Sequence, residues 1–349
     1  MLSMTEIPMS TIYLTKRCTM TIKYQRKGPI VVFGAGHGAA NIAQHLRDLV
    51  KHLCFIISVF DNGGHSRDLR KLGYGALGDL RRVLLALASD SALKCGFGEV
   101  FGARFVHSRD STFNNAAVGN LILAALEREY GMGEGLIKAL KVVRKLGGVR
   151  AEVLPVSFDR AQLRSIASAT EIASEGDLDS RPHDARPIMC SMLIPTARVC
   201  PAADRAIRGA RLIAFAPGSL WPSVLVHPMV EGVNDAIHAA MADGAKVVMI
   251  TNIVMKRNEM DEGTGTSAGI VNLLCGHLGV DKIDAVLVNV GALPAEALAR
   301  CSAEESYPVR FKATKEAKLN IQGDFVLCDK EGKVVHNAET VRRLLELCS

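Results

Sequence analysis

PIVVFGAGHGAANIAQHL at residues 29–46, CFIISVFDNGGHSRDLR at 54–70 and ALGDLRRVLLALAS at 76–89 decide how this chain folds. Ile30, Val31, Val32 and Phe33 form a β-branched and aromatic run short enough for a buried strand. Gly34, Gly36 and Gly38 follow at once, and Ile42, His45, Leu46 and Leu49 then recur at helical spacing. Glycines let a backbone turn sharply and bare its N–H groups, and the helix behind them adds the positive end of its dipole. A strand, a glycine turn and a helix N-terminus in that order make a place to hold a phosphate.

Two readings of this turn stand side by side. Gly34-x-Gly36-x-x-Ala39 fits the dinucleotide fingerprint in its G/A form, and Asp61 ends the next apolar run, Cys54 to Phe60, where a ribose-binding acid belongs. A nicotinamide or flavin oxidoreductase is therefore one candidate. The residues after Asp61 point elsewhere. Asn62, Gly63 and Gly64 form a polar turn, followed by His65, Ser66, Arg67 and Arg70, and Gly78-Asp79 opens a further apolar helix from Leu80 to Ala88. Asp79 suits a helix N-cap and Asn62-Gly63 a plain turn, which are the simpler roles for each.

Downstream, Val118 to Tyr130 reads as a helix with Asn120 near its start, where an Asn either caps the helix or meets a phosphate or sugar. Glu134 to Lys145 reads as a second helix and Val153 to Val156 as a strand. Residues 160–200 lack helical periodicity, and 174–187 are loop-like. From Pro201 the α/β rhythm returns, with strands at Leu212 to Ala216, Lys246 to Ile250 and Ala285 to Val290. Pro217-Gly218-Ser219 repeats the logic of the first turn and makes a second anion cradle. Alternating strands and helices imply a mostly parallel sheet, whose ligands bind beyond the carboxyl ends of the strands. The turns after residues 33, 60, 216 and 250 are expected to line one cleft. No GK[ST] phosphate loop is present, which disfavours ATP hydrolysis of that type.

Composition narrows the class. The chain has 349 residues, 48% hydrophobic but only 5% aromatic, as suits aliphatic sheets between helices. Of the net charge of +6, residues 1–28 supply +4, from Lys16, Arg17, Lys23, Arg26 and Lys27 against Glu6. The excess belongs to this segment and argues against a nucleic-acid groove. We read residues 1–28 as a disordered extension or a start placed ahead of Met20; a transit peptide is the alternative, and the apolar core of a secretory signal is absent. No apolar run approaches the ~20 residues a membrane helix needs. The nine cysteines are scattered without CxxC or zinc spacing, so reduced thiols in a cytoplasmic protein are expected.

The order of these motifs resembles the CofD/YvcK family, which joins 2-phospho-L-lactate transferases to bacterial gluconeogenesis factors. The gluconeogenesis-factor pattern runs GGGTG, DDGGSSGRLR, PPGDIRN, HSLGN, GPGSLYTS and CNVMTQ-x-GETD. This chain has GAGHG at 34–38, DNGGHSRDLR at 61–70, ALGDLRR at 76–82, AAVGN at 116–120, APGSLWPS at 216–223 and TNIVMKRNEMD at 251–261. FVLCDKEGKVVHNAETV at 325–341 also looks like the family, so the likeness runs from about Gly28 to Leu347. It implies a Rossmann-like three-layer α/β fold over 29–349, a mostly parallel central sheet and a small β-rich insertion at about 157–200.

The transferase branch moves a phospholactyl group from a guanosine diphosphate donor to a deazaflavin alcohol with magnesium. The other branch is linked to UDP-sugar binding, notably UDP-N-acetylglucosamine, and to control of carbon and cell-wall metabolism. PGSL and the GETD-like segment place this chain nearer the second. It departs from the pattern at Asn62 for the second Asp, His37 for Thr, Ala116-Ala117 for His-Ser, Arg82 for Asn, Trp221 for Tyr and Ser267-Ala268 for Asp-His. One carboxylate fewer at Asn62 weakens a magnesium site. Trp221 keeps an aromatic face for a base.

The first reading is thus a regulatory protein that binds a nucleotide sugar or another nucleoside diphosphate. The second is a magnesium-dependent phosphotransferase, and the oxidoreductase is the third. No cofactor beyond magnesium is brought in, neither nucleic acid nor membrane is expected, and self-association into a homo-oligomer is left open. The residues expected to hold the ligand are Gly34, Gly36, His37, Gly38, Asn62, Gly63, Gly64, Ser66, Gly78, Asn120, Pro217, Gly218, Ser219, Leu220, Trp221 and Asn252. Asp61 and Asp79 are the catalytic and metal-binding residues if the transferase reading holds.

Overall fold

A computed structural model describes residues 28–105, 115–167, 170–172, 187–329 and 332–348. Of the expectations above, the extension up to residue 27 and the loop at 174–186 lie outside the described residues.

Seven parallel strands form the central sheet: β1 (Ile30–Gly34), β2 (Leu53–Ile57), β3 (Glu152–Pro155), β7 (Leu212–Phe215), β8 (Lys246–Ile250), β10 (Ile283–Asn289) and β12 (Ala317–Gly323). Their order across the sheet is β12-β10-β8-β7-β1-β2-β3. β1, β2 and β7 are buried on both faces, which explains why they read as continuous apolar runs rather than alternating ones. The chain leaves β1 toward β2 and β3, then returns to build β7, β8, β10 and β12 on the other side. The boundary between β1 and β7 is therefore a topological switch point, where crossovers part and open a crevice at the carboxyl ends of the strands.

The helices follow their apolar spacing. α1 (Gly36–Leu46) buries Ala39, Ile42, Ala43 and Leu46. α3 (Gly78–Leu87) buries Leu80, Val83, Leu84 and Leu87. α2 (Gly64–Lys71), α4 (Asp90–Lys94), α5 (Phe97–Gly102), α6 (Val118–Tyr130) and α7 (Glu134–Leu146) complete the helical cover in the first half of the chain. Three antiparallel strands, β4 (Gln162–Ala167), β5 (Thr170–Ile172) and β6 (Cys190–Ile194), form a separate small sheet in the order β5-β4-β6. The chain is thus α/β, with a parallel Rossmann-like core and a small β-rich insertion. Among the described residues, no helix is long and apolar enough to cross a membrane.

The switch point is rigid underneath. Phe33 of β1 stacks on Phe215 of β7 at 5.1 Å between ring centroids, and His227 lies 4.9 Å from Phe33. His227 Nε2 donates to the carbonyl of Gly34 at 3.3 Å, which fixes the start of the first glycine turn from below. Burial pushes His227 down to about 3, so the ring is neutral.

Candidate functional site

The two glycine turns meet at the switch point. A Cβ on Gly38 would lie 1.9 Å from the Pro217 carbonyl oxygen, so only glycine lets the turns approach this closely. Gly36 has φ +64°, the left-handed region that glycine adopts without strain, and its missing side chain leaves open space. Asn252, just past β8, clamps the second turn. Its Nδ2 donates to the Gly218 carbonyl at 2.7 Å and its Oδ1 accepts the Gly218 N–H at 3.3 Å.

Above these turns lies a cleft of about 570 Å³. The first turns of α1, α2, α3 and α6 all open onto it, through Gly36, His37 and Gly38, through Ser66, through Gly78 and Asp79, and through Asn120. None of these four N-termini is closed by the side chain of its own cap residue. The positive dipole ends of four helices thus converge on one volume, with Asp61 and Asp79 already taking the Gly63 and Gly36 N–H groups there. Arg81, Arg82, Arg104 and Lys256 add positive charge, against Asp61 and Asp79. Arg81 is pushed down to about 10 by its burial and by the neighbouring Arg104 and Arg82 guanidiniums, a concentration of like charge that an anion would relieve.

The carboxylates are organised by the same turns. Asp61 Oδ1 accepts the Gly63 N–H at 2.7 Å and Oδ2 the Ser66 hydroxyl at 2.8 Å. Both oxygens hold the loop that starts α2, which disfavours a ribose-binding role for this acid. Asp79 is not an N-cap; the cap position is Leu77, and Asp79 sits in the first turn of α3. It pairs with Arg82 and accepts from the Gly36 N–H. Burial nevertheless holds its carboxyl above the usual range, with the Asp61 charge adding to the effect. Asn120 is also not a cap: its Oδ1 accepts from Arg81 Nε at 3.0 Å, while its Nδ2 faces Gly78.

The cleft gathers Gly36, His37, Gly38, Asp61, Gly63, Ser66, Gly78, Asp79, Asn120, Gly218 and Ser219 from the residues singled out in the sequence. Gly34 is instead buried at the end of β1, where Ala39 and Ala216 crowd it, and Gly64 begins α2. Asn62 turns to a separate depression shared with Arg67 and Arg160. Pro217 and Asn252 line a smaller neighbouring pocket, so three of the four expected turns open on the main cleft and the fourth works through the Asn252 clamp.

Two expectations are corrected. Trp221 does not offer a face to a base: it is 2% exposed, its Nε1 donates to the Glu259 carbonyl at 3.2 Å, and its ring meets His277 edge-on. Leu220 does not offer its N–H, because the Glu259 carboxylate takes it at 2.7 Å at the start of a π-helix, Leu220–Leu225. The sequence reading missed Arg81, Arg104, Lys256 and Ser223 as cleft residues. The helical spacing of Arg81 to Gly78 could have flagged the first; nothing local flags the others.

The family described as 2-phospho-L-lactate transferase CofD matches residues 30–325. The gluconeogenesis factor of Bacillus subtilis (strain 168) is 29% identical over 325 residues, covering 92% of this chain and 98% of that protein. The gluconeogenesis factor of Listeria innocua is 28% identical over 322 residues, covering 91% and 94%. A crystal structure of a Bacillus halodurans protein superposes with a TM-score of 0.81 at 27% identity, covering 92% of this chain and all of that one.

Proposed function

The chain belongs to the CofD family, and from that membership and the cleft we propose that it binds a nucleoside diphosphate joined to a sugar, of the UDP-N-acetylglucosamine kind, and acts as a regulator of carbon or cell-envelope metabolism. The observation that carries this reading is the convergence of four helix N-termini and three arginines on one cleft at the switch point. A diphosphate suits such a site, since the converging helix dipoles favour its oxygens and Arg81, Arg82 and Arg104 its charge. The relatives' name, gluconeogenesis factor, supports the link to carbon metabolism.

The test is calorimetric titration of the full chain with UDP-N-acetylglucosamine, UDP and GDP, with and without magnesium. Saturable binding of a diphosphate ligand, weakened by salt, is the expected result. Heat-silent titrations with every diphosphate, backed by no thermal shift, would overturn it; ligand at 100 times its Kd should stabilise the fold by about 2.7 kcal/mol.

A second reading, magnesium-dependent transfer from a nucleoside diphosphate-linked donor, is favoured by Asp61 and Asp79, which face the same cleft and feel each other's charge. The residues fit such an ion: magnesium is ordinarily held by one or two carboxylates together with substrate phosphates and water. Among the described residues, no group of three or more His, Cys, Asp and Glu side chains is gathered for a metal. Asp61 and Asp79 would hold the ion, which when bound neutralises charge on the phosphates. Asn120 and Ser219 would orient them. Metal-dependent turnover of a diphosphate donor, lost in Asp61→Ala, is the result that separates this reading from the first.

A further inference from the structure

Inside the cleft, α3 brings a carboxylate and a guanidinium together. Asp79 stands in its first turn and Arg82 follows at i+3, so helix geometry sets the two on one face. Arg82 Nη1 donates to Asp79 Oδ1, with the Asp79 side chain 12% exposed and that of Arg82 28%. The other arginines of the cleft meet neutral partners: Arg81 donates to the Asn120 side chain and Arg104 to the Asn115 carbonyl. In the gluconeogenesis-factor pattern PPGDIRN the residue aligned with Arg82 is Asn, which carries no charge.

Both carboxylates of the cleft are already engaged. Asp61 accepts from the Gly63 N–H and the Ser66 hydroxyl, one on each oxygen. Asp79 serves Arg82 and the Gly36 N–H, and the Arg81 charge acts on it as well. A divalent ion at Asp79 would have to displace the Arg82 guanidinium or lie against it, and like charges repel more strongly at a partly buried site than in water. Stripping a buried carboxylate of its counter-ion is costly too, so the pair resists exchange. Arg82 can also do for a ligand what such an ion would do. Its guanidinium is always charged, and its planar fork has N–H groups beyond the one spent on Asp79. Among the described residues these have no other hydrogen-bond partner. They suit phosphate oxygens in the cleft.

We propose that Arg82 is the resident cation of the cleft: it holds Asp79 and takes phosphate charge in place of a divalent ion, so that this chain binds its diphosphate ligand without metal. The inference rests on the diphosphate reading of the cleft. Arg82 competes with any divalent ion for Asp79, and the transfer reading requires that Arg82 first give way.

The experiment has two arms, both on the full chain. In the first, UDP-N-acetylglucosamine is titrated calorimetrically into wild type and Arg82→Asn, with magnesium and with a chelator. Wild-type affinity should be the same in both conditions. Arg82→Asn should lose about tenfold or more in chelator, the worth of one charge-assisted hydrogen bond, and regain it with magnesium. In the second arm Mn²⁺ alone is titrated and the free ion is read by its paramagnetic resonance signal. Arg82→Asn should take up Mn²⁺ that wild type does not, and adding Asp79→Asn should abolish the uptake. Wild type that takes up Mn²⁺ as readily as Arg82→Asn, or that binds the sugar nucleotide only with magnesium, would overturn the proposal. Failure of the sugar nucleotide to bind in either condition would overturn the diphosphate reading itself, with the Mn²⁺ arm then judging the competition for Asp79 alone. The adverse results are read on unaltered protein, so misfolding of a variant cannot hide them.

Discussion

Gly38 and Pro217 touch so closely that a Cβ on Gly38 would sit 1.9 Å from the Pro217 carbonyl oxygen. That contact joins the two glycine turns, one from each side of the switch point, into a single cradle. The obstacle is backbone, not a flexible side chain, so Gly38→Ala forces the turns apart. We expect a loss of about 3 kcal/mol or more in denaturant unfolding, at or above the upper end of ordinary overpacking. Diphosphate binding should be lost as well. Gly36→Ala is the control: it meets open space, so its cost is the smaller one of a positive φ.

Asn252 acts on ligand through Gly218. Asn252→Ala removes both hydrogen bonds of the clamp and leaves the Gly218 carbonyl and N–H without their partner. About 1–3 kcal/mol of stability should go. Asn252→Asp keeps the acceptor but sets a carboxylate oxygen against the Gly218 carbonyl and adds negative charge beside the cleft, so it should melt no higher than Asn252→Ala and bind diphosphate more weakly still.

Arg81→Met takes a buried cation from the cleft and orphans Asn120 Oδ1. Charge-assisted bonds of this kind are worth about 1.5–3 kcal/mol, so diphosphate affinity should drop by roughly 10- to 100-fold. The salt dependence of binding should flatten at the same time. An unchanged affinity in Arg81→Met would show that the anion sits elsewhere.

Trp221→Phe separates packing from recognition. The indole is buried and its N–H is spent on the Glu259 carbonyl. Losing that bond should cost about 1 kcal/mol in unfolding. Nucleotide affinity should stay within about twofold of wild type, because the ring faces no part of the cleft.

Two buried histidines make the fold acid-sensitive. Burial pushes His336 down to about 4 and His227 to about 3, so the folded chain refuses protons that the unfolded chain takes up near 6.5. Their neutral forms hold full stability above that value. It is lost as pH falls through 6.5 toward 4 and 3, with a slope of about 1.4 kcal/mol per pH unit for each ring. Unfolding measured from pH 7 to 4 should be visibly flatter in His227→Gln than in wild type.

Much of this was legible in the residues alone. Ile30–Phe33, Leu212–Phe215 and Lys246–Ile250 announce their strands because a strand buried on both faces must be apolar throughout. Gly36 and Gly38 announce a turn because few other residues fit it. Val118–Tyr130 shows a helix by its spacing. These are local constraints, and a chain carries them wherever it goes. The placing of β7 rather than β2 or β3 as the second wall of the crevice is not local, since it depends on which sheet edge the returning chain joins. Only that choice brings Gly218 against Gly38. It also brings Arg104 from the α5–α6 side and Lys256 from β9 (Val254–Lys256) into one field. Trp221 and His336 make the same point from opposite directions: an aromatic that looked available is sealed in the core, and a histidine near the C-terminus lines a pocket with residues almost 300 positions earlier. Periodicity and turn chemistry report the backbone within a few residues, whereas burial and charge at a site are set by packing between segments far apart in the chain.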